Sequence, residues 1–149
     1  MKNVKFLMGG ILICVFFVGV SCHQGKVNAQ KSEKKENIQV SLFDKTLPEI
    51  QKYINGEWKL VSGKNGREVC EYEATFIKFN GDKYIWTEDG KAEPGDMNWR
   101  KAETGNGYES YLMDVFYAEH PAYPLSLNGD TLFIQDCSET AYRYTLIRK

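Results

Sequence analysis

The chain has 149 residues, 42% hydrophobic and 26% charged, a composition that folds and that leaves room for one domain plus targeting and tether segments, not for two full domains. With 19 basic against 20 acidic residues, the formal net charge is −1, so there is no cationic surplus to neutralise a row of phosphates, and nucleic acid is not expected as a partner.

Lys2 and Lys5 precede an uncharged, mostly apolar run over residues 6–20. Fifteen residues are too few to cross about 30 Å of hydrocarbon as a helix, and the basic start fits a signal peptide over residues 1–21. Gly19-Val20-Ser21-Cys22 resembles a bacterial lipoprotein box, which implies that Cys22 is diacylated through its sulfur and becomes the mature N-terminus. A second site competes, with cleavage after Val27-Asn28-Ala29 giving a soluble periplasmic or secreted protein. Either route takes the chain out of the cytoplasm. His23-Gln24-Gly25-Lys26 lacks the acidic cluster that resembles a surface-export signal, so an outer-membrane lipoprotein facing the periplasm is expected, with the membrane as partner through the N-terminal lipid.

Residues 22–44 are polar and rich in Lys, Glu, Gln and Asn, too poor in apolar area to offset chain entropy, and read as a flexible tether. The folded domain is expected over residues 45–149. It opens with a capping box, Thr46-Leu47-Pro48-Glu49, in which Pro48 suits a first helical turn that has no use for its missing N–H. Leu47, Ile50 and Ile54 share one helical face, and Asn55-Gly56 is the stop signal, so a helix of about two turns is expected.

After Gly56 the apolar period changes from 3.6 to 2. Trp58 and Leu60 alternate with Glu57 and Lys59, and Tyr72, Ala74 and Phe76 alternate with Glu71, Glu73 and Thr75, the pattern of half-buried strands. Asn80-Gly81-Asp82 and Asn128-Gly129-Asp130 are tight-turn signals joining strands 74–79 to 83–87 and 125–127 to 131–135. Further strands are expected at 97–102, 107–115 and 141–148, and no helix after residue 56. About eight short strands at meander spacing predict an all-β domain, an antiparallel barrel or a strongly bent sheet.

Gly56-Glu57-Trp58, opening the first strand after a short helix, and the closing Tyr142-Arg143-Tyr144-Thr145-Leu146-Ile147-Arg148 resemble the lipocalin-like domains of small secreted and lipid-anchored bacterial proteins, over residues 46–149. The resemblance implies that Trp58 packs under the floor of an eight-stranded barrel with a last-strand arginine across its ring. Arg148 has the strand parity of Tyr142, Tyr144 and Leu146, whereas Arg143 has the opposite one, so Arg148 is the expected partner.

Cys70 and Cys137 remain after processing, and in an oxidising compartment an isolated pair is expected to form a disulfide stabilising by about 4 kcal/mol; two free thiols are the alternative. No Cys-x-x-Cys is present for redox chemistry. His120 is the one histidine of the domain, too few for a zinc centre, and His120-Pro121-Ala122-Tyr123-Pro124 reads as a rigid loop. No Gly-x-Ser-x-Gly elbow is present, and Gly105-Asn106-Gly107 lacks the glycine and helix of a phosphate cradle. The chain is therefore expected to be noncatalytic and to need no cofactor.

The middle third is loaded with aromatic residues. Alternation places Tyr84 and Trp86 on one face and Tyr111, Met113, Val115 and Tyr117 on another, so Tyr84, Trp86, Tyr111, Met113 and Tyr117 are the candidate lining of a ligand site if the barrel is hollow. Two function classes follow: a noncatalytic envelope protein that binds a small hydrophobic or amphipathic molecule, and an envelope protein-interaction module, similar in size and location to the small β-barrel lysozyme inhibitors. A pocket at Trp86 and Tyr111 favours the first class; a filled barrel with aromatic residues protruding at 120–124 favours the second.

Overall fold

The computed structural model describes residues 38–117 and 120–149, with the side chain of Tyr117 left aside. The signal segment, Cys22 and most of the tether lie outside the described residues. The domain begins earlier than residue 45. Strand β1 (Gln39–Ser41) pairs antiparallel with a later strand, Leu42 is fully buried and gives its N–H to the Leu125 carbonyl, and Ser110 Oγ donates to the Phe43 carbonyl.

Helix α1 (Leu47–Ile54) has its N-cap at Thr46, whose N–H donates to Glu49 Oε2 at 3.0 Å and whose hydroxyl donates to the same oxygen at 2.7 Å. The Thr46 hydroxyl thus gives a proton to the reaching carboxylate, and these two bonds hold the Glu49 carboxyl below its ordinary range. Ile50 and Ile54 are buried. The helix stops at Asn55, and Gly56 follows at φ +123°, a conformation that L side chains rarely adopt; a Cβ there would also lie 3.0 Å from Arg148 Nη1.

Ten strands follow: β2 (Gly56–Lys64), β3 (Val69–Glu71), β4 (Thr75–Asn80), β5 (Lys83–Glu88), β6 (Lys91–Asp96), β7 (Arg100–Glu103), β8 (Glu109–Tyr117), β9 (His120–Asn128), β10 (Thr131–Asp136) and β11 (Arg143–Arg148). They form one antiparallel sheet in the order β6-β5-β4-β2-β11-β10-β9-β8-β7, with β1 on β9 and β3 on β2. The all-β class is as expected, but the sheet is open and has eleven strands, so the closed eight-stranded barrel is corrected. Its free edge explains why. Strand β6 carries Pro94, which has no N–H to donate, next to Gly95 and the exposed Lys91, Glu93 and Asp96, features that discourage further pairing. Where β6 turns towards β7, the buried Met97 takes an N–H from Asp114 of β8 at 2.7 Å and gives its own to the Asp82 carbonyl at 2.8 Å. The Asp114–Met97 backbone bond joins the two ends of the sheet, and Trp86 of β5 meets Phe116 of β8 near it.

The concave face holds Trp58, Leu60, Thr75, Ile77, Phe79, Met113, Val115, Leu132, Ile134, Tyr144 and Leu146, closed by Ile50, Ile54 and Leu42. Three expectations change here. In β4 the inward residues are Thr75, Ile77 and Phe79; Phe76 lies half-buried on the convex side under the Lys149 ammonium, 4.8 Å from the ring centroid, and Tyr72 and Ala74 precede the strand. Residues 120–124 belong to β9 and not to a loop, because the pairing shifts between Phe133 and Ile134, which face Ser126 and Pro124 and pass over Leu125. The turn at Asp89 and Gly90, both at positive φ, adds the hairpin β5–β6, while Asn98 at φ +46° keeps Met97 out of β7. The Gly81 and Gly129 turns join their strands at the expected places.

Candidate functional site

Aromatic side chains meet opposite fates at two places in the domain, apart from a third group in which Phe43 stands edge to face with Tyr108 and Tyr123. The first lies at the end of α1. Trp58 is fully buried and donates its indole N–H to the Ile54 carbonyl at 2.6 Å. The Arg148 guanidinium carbon lies 4.1 Å from the centroid of the Trp58 ring, with Nη2 donating to the Tyr53 carbonyl at 2.9 Å and Nη1 to the Asn55 carbonyl at 3.1 Å. Helix C-termini leave carbonyls without intrahelical donors, and here Trp58 and Arg148 together serve three consecutive ones. The pair joins β2, β11 and α1 and has no space left for a guest.

The second place is a cleft of about 380 Å³ on the concave side, lined by Tyr72, Tyr84, Trp86, Glu88, Glu93, Pro94, Val115, Phe116 and Tyr144. Strand register explains its walls. Tyr84, Trp86 and Glu88 stand opposite the inward Phe79, Ile77 and Thr75 of β4, and Trp86 faces Glu93 of β6 on its other side. Gly95 stands opposite Tyr84, and a Cβ there would meet the Tyr84 ring at 2.5 Å, so the glycine lets that ring lie flat over the edge strand. Phe116 stacks on Tyr144 at 4.1 Å between centroids and 7° between planes, and meets Trp86 edge to face at 5.7 Å and 87°.

The stack is anchored from behind. Buried Asp136 accepts from the Tyr144 hydroxyl at 3.3 Å, the Ser138 hydroxyl at 2.7 Å and the N–H groups of Ser138 and Tyr142 at 3.2 and 3.0 Å. Of the three tryptophans, Trp58 and Trp99 give their indole N–H to carbonyls, at 2.6 and 3.3 Å, whereas Trp86 has no such partner among the described residues. Glu88 and Glu93 likewise make no ion pair with a described residue.

Of the residues expected to line a site, Tyr84 and Trp86 meet in this cleft. Met113 is fully buried in the core and Tyr111 is half-buried against it, so neither lines the cleft; the Tyr117 side chain and Cys22 lie outside what is described. Sequence alternation missed Tyr72, Phe116 and Tyr144. Phe116 escapes it because the β8–β9 pairing is irregular between Met113 and Tyr117, and no spacing rule links three residues from distant segments. A wider groove of about 530 Å³ on the convex face of β4–β6 is lined by Lys78, Lys83, Ile85 and Asp96, but Lys83 and Asp96 already pair at 2.9 Å, which also holds the Lys83 ammonium above its ordinary range.

The expected disulfide is corrected: Cys70 and Cys137 are both free thiols. Cys70 is on β3 beside β2, Cys137 follows β10, and β2 and β11 lie between. Three strand spacings are roughly 14 Å of sheet, against about 7 Å at most between the Cα atoms of a disulfide. Burial first, then the Asp136 carboxylate, pushes the Cys137 thiol up, with Arg100 opposing. His120 is exposed, and among the described residues no three His, Cys, Asp or Glu side chains are grouped to hold a metal ion.

No family model, no curated protein and no solved structure matches the chain, so its site rests on the geometry above.

Proposed function

We propose that this chain is a noncatalytic binding protein of the cell envelope, lipid-anchored at Cys22, whose lipocalin-like domain holds a small hydrophobic or amphipathic molecule in the cleft at Trp86. The observation that carries the reading is the cleft itself. Its 380 Å³ falls in the range of small-molecule sites, and aromatic walls with a few polar groups are the usual lining. The Trp86 indole N–H, without a partner among the described residues, adds a donor, and the Asp136 bonds to the Tyr144 region favour a preformed wall.

The geometry of Trp58 and Arg148 supports the lipocalin-like reading of the floor, and the open sheet supports a mouth that stays accessible. The interaction-module reading gains less, since Tyr123 and Pro124 are buried and the exposed Ile38, Val69, Ile85, Tyr108 and Ile147 lie on separate elements.

The test is organic extraction of the protein purified from a bacterial envelope without denaturant, followed by mass analysis, for the unaltered chain and Trp86→Ala. A defined small molecule retained by the first and lost by the second is expected. The same extract from both would contradict the reading.

A further inference from the structure

We infer that the cleft selects an organic cation, a substituted ammonium group carried on an apolar body, over neutral and anionic molecules of the same size. The inference rests on the ligand-binding reading above and names the ligand class.

The lining decides the sign of the charge. Five aromatic side chains, Tyr72, Tyr84, Trp86, Phe116 and Tyr144, bound one volume, with Val115 and Pro94 filling between them. Two carboxylates, Glu88 and Glu93, complete the lining, and among the described residues no lysine, arginine or histidine belongs to it. Every ring presents a negative quadrupole on its face, and an ammonium group beside such faces is attracted more strongly as water is excluded. Glu88 and Glu93 are exposed and form no ion pair with a described residue, so none of the described cations competes with a guest for their charge. The four ion pairs of the described residues lie elsewhere, at Lys78, Lys83, Arg100 and Lys101. Lys91 stands opposite Glu88 in the β5–β6 register but does not line the cleft.

The edge position matters as much as the charge. Glu93 faces Trp86 across the register, so a carboxylate stands directly beside the largest ring of the site. An apolar body can rest on Tyr144 and Phe116, whose stacking and anchoring fix one wall, while the cationic head sits between Trp86 and the Glu88 and Glu93 rim. A carboxylate ligand at that rim would meet two like charges with no cation among the described lining residues to offset them.

The test is calorimetric titration of the full chain, held in a non-ionic maltoside detergent, with benzyltrimethylammonium chloride, benzyl alcohol and sodium phenylacetate. The cation is expected to bind on the order of tenfold more tightly than benzyl alcohol, with phenylacetate weakest. Glu88→Gln with Glu93→Gln, two exposed changes that leave the rings in place, is expected to weaken the cation about fivefold and benzyl alcohol distinctly less. Equal affinity for cation and alcohol, a preference for phenylacetate, or equal weakening of both probes by the double variant would overturn the cation preference while leaving a ligand site. Failure of all three probes to bind would overturn the preference and the ligand-binding reading together.

Discussion

The floor and the mouth of this domain use the same kinds of residue to opposite ends. At the floor, Trp58 and both terminal nitrogens of Arg148 donate to the three carbonyls that end α1, and the ring is sealed from water. At the mouth, among the described residues, the Trp86 indole N–H has no partner and Glu88 and Glu93 make no ion pair, while Phe116 and Tyr84 are half-buried. Satisfied polar groups around a buried ring make a structural joint; polar groups left open beside half-buried rings leave affinity for a guest. The difference follows the ends of the open sheet: a hydrogen bond from Asp114 to Met97 joins them, and Pro94 and Gly95 keep the edge strand beside the cleft from pairing further.

The largest effect should come from breaking the floor. Trp58→Ala is expected to cost about 3–5 kcal/mol, because it empties a filled core and strands the Ile54 carbonyl; a denaturant midpoint close to that of the unaltered chain would show that the floor is no joint. Arg148→Ala should cost about 1–3 kcal/mol through the Tyr53 and Asn55 carbonyls, and Arg148→Lys should recover part of it, since one ammonium cannot reach both with a planar fork. At the mouth, Trp86→Ala is expected to cost about 1 kcal/mol or less while removing ligand binding, the inverse of the Trp58 outcome. A loss comparable to that of Trp58→Ala would erase the contrast.

Two smaller effects sharpen the picture at the wall behind Tyr144. In native protein, a thiol reagent should label Cys70 at once and Cys137 slowly, and both after unfolding; no labelling of either in denaturant without reductant would restore the disulfide. Tyr142 donates to Glu68 Oε2 at 2.6 Å, and that bond first, with burial second, pushes its phenol up to about 12. The folded value lies above the unfolded one near 10, so the bond's contribution is whole below pH 10 and is lost as pH rises through 12. Tyr142→Phe should therefore remove one late-ionising phenol from the alkaline absorbance titration.

Much of the floor was legible in the sequence because it is built from local rules. A capping box, a stop at Asn55-Gly56 and strand parity suffice to place Trp58 and to choose Arg148 over Arg143. Local rules fail where polar residues face inward or breakers sit in strands. Thr75 on the concave face reversed the parity of β4, Lys-Ala-Glu-Pro-Gly-Asp hid β6, and Pro121 and Pro124 disguised the start of β9. The mouth needed all three, together with the irregular pairing near Phe116, so Tyr84 and Trp86 could be found and Tyr72, Phe116 and Tyr144 could not. The cysteine pair failed for a different reason, since an even count says nothing about the two strands that separate Cys70 from Cys137.

The most direct test of the contrast between floor and mouth follows the three indole N–H signals of the nitrogen-labelled chain as benzyl alcohol is added. The Trp86 signal is expected to move progressively while those of Trp58 and Trp99, each bonded to a carbonyl, stay in place. A moving Trp58 signal with a still Trp86 would place the guest at the floor and contradict it.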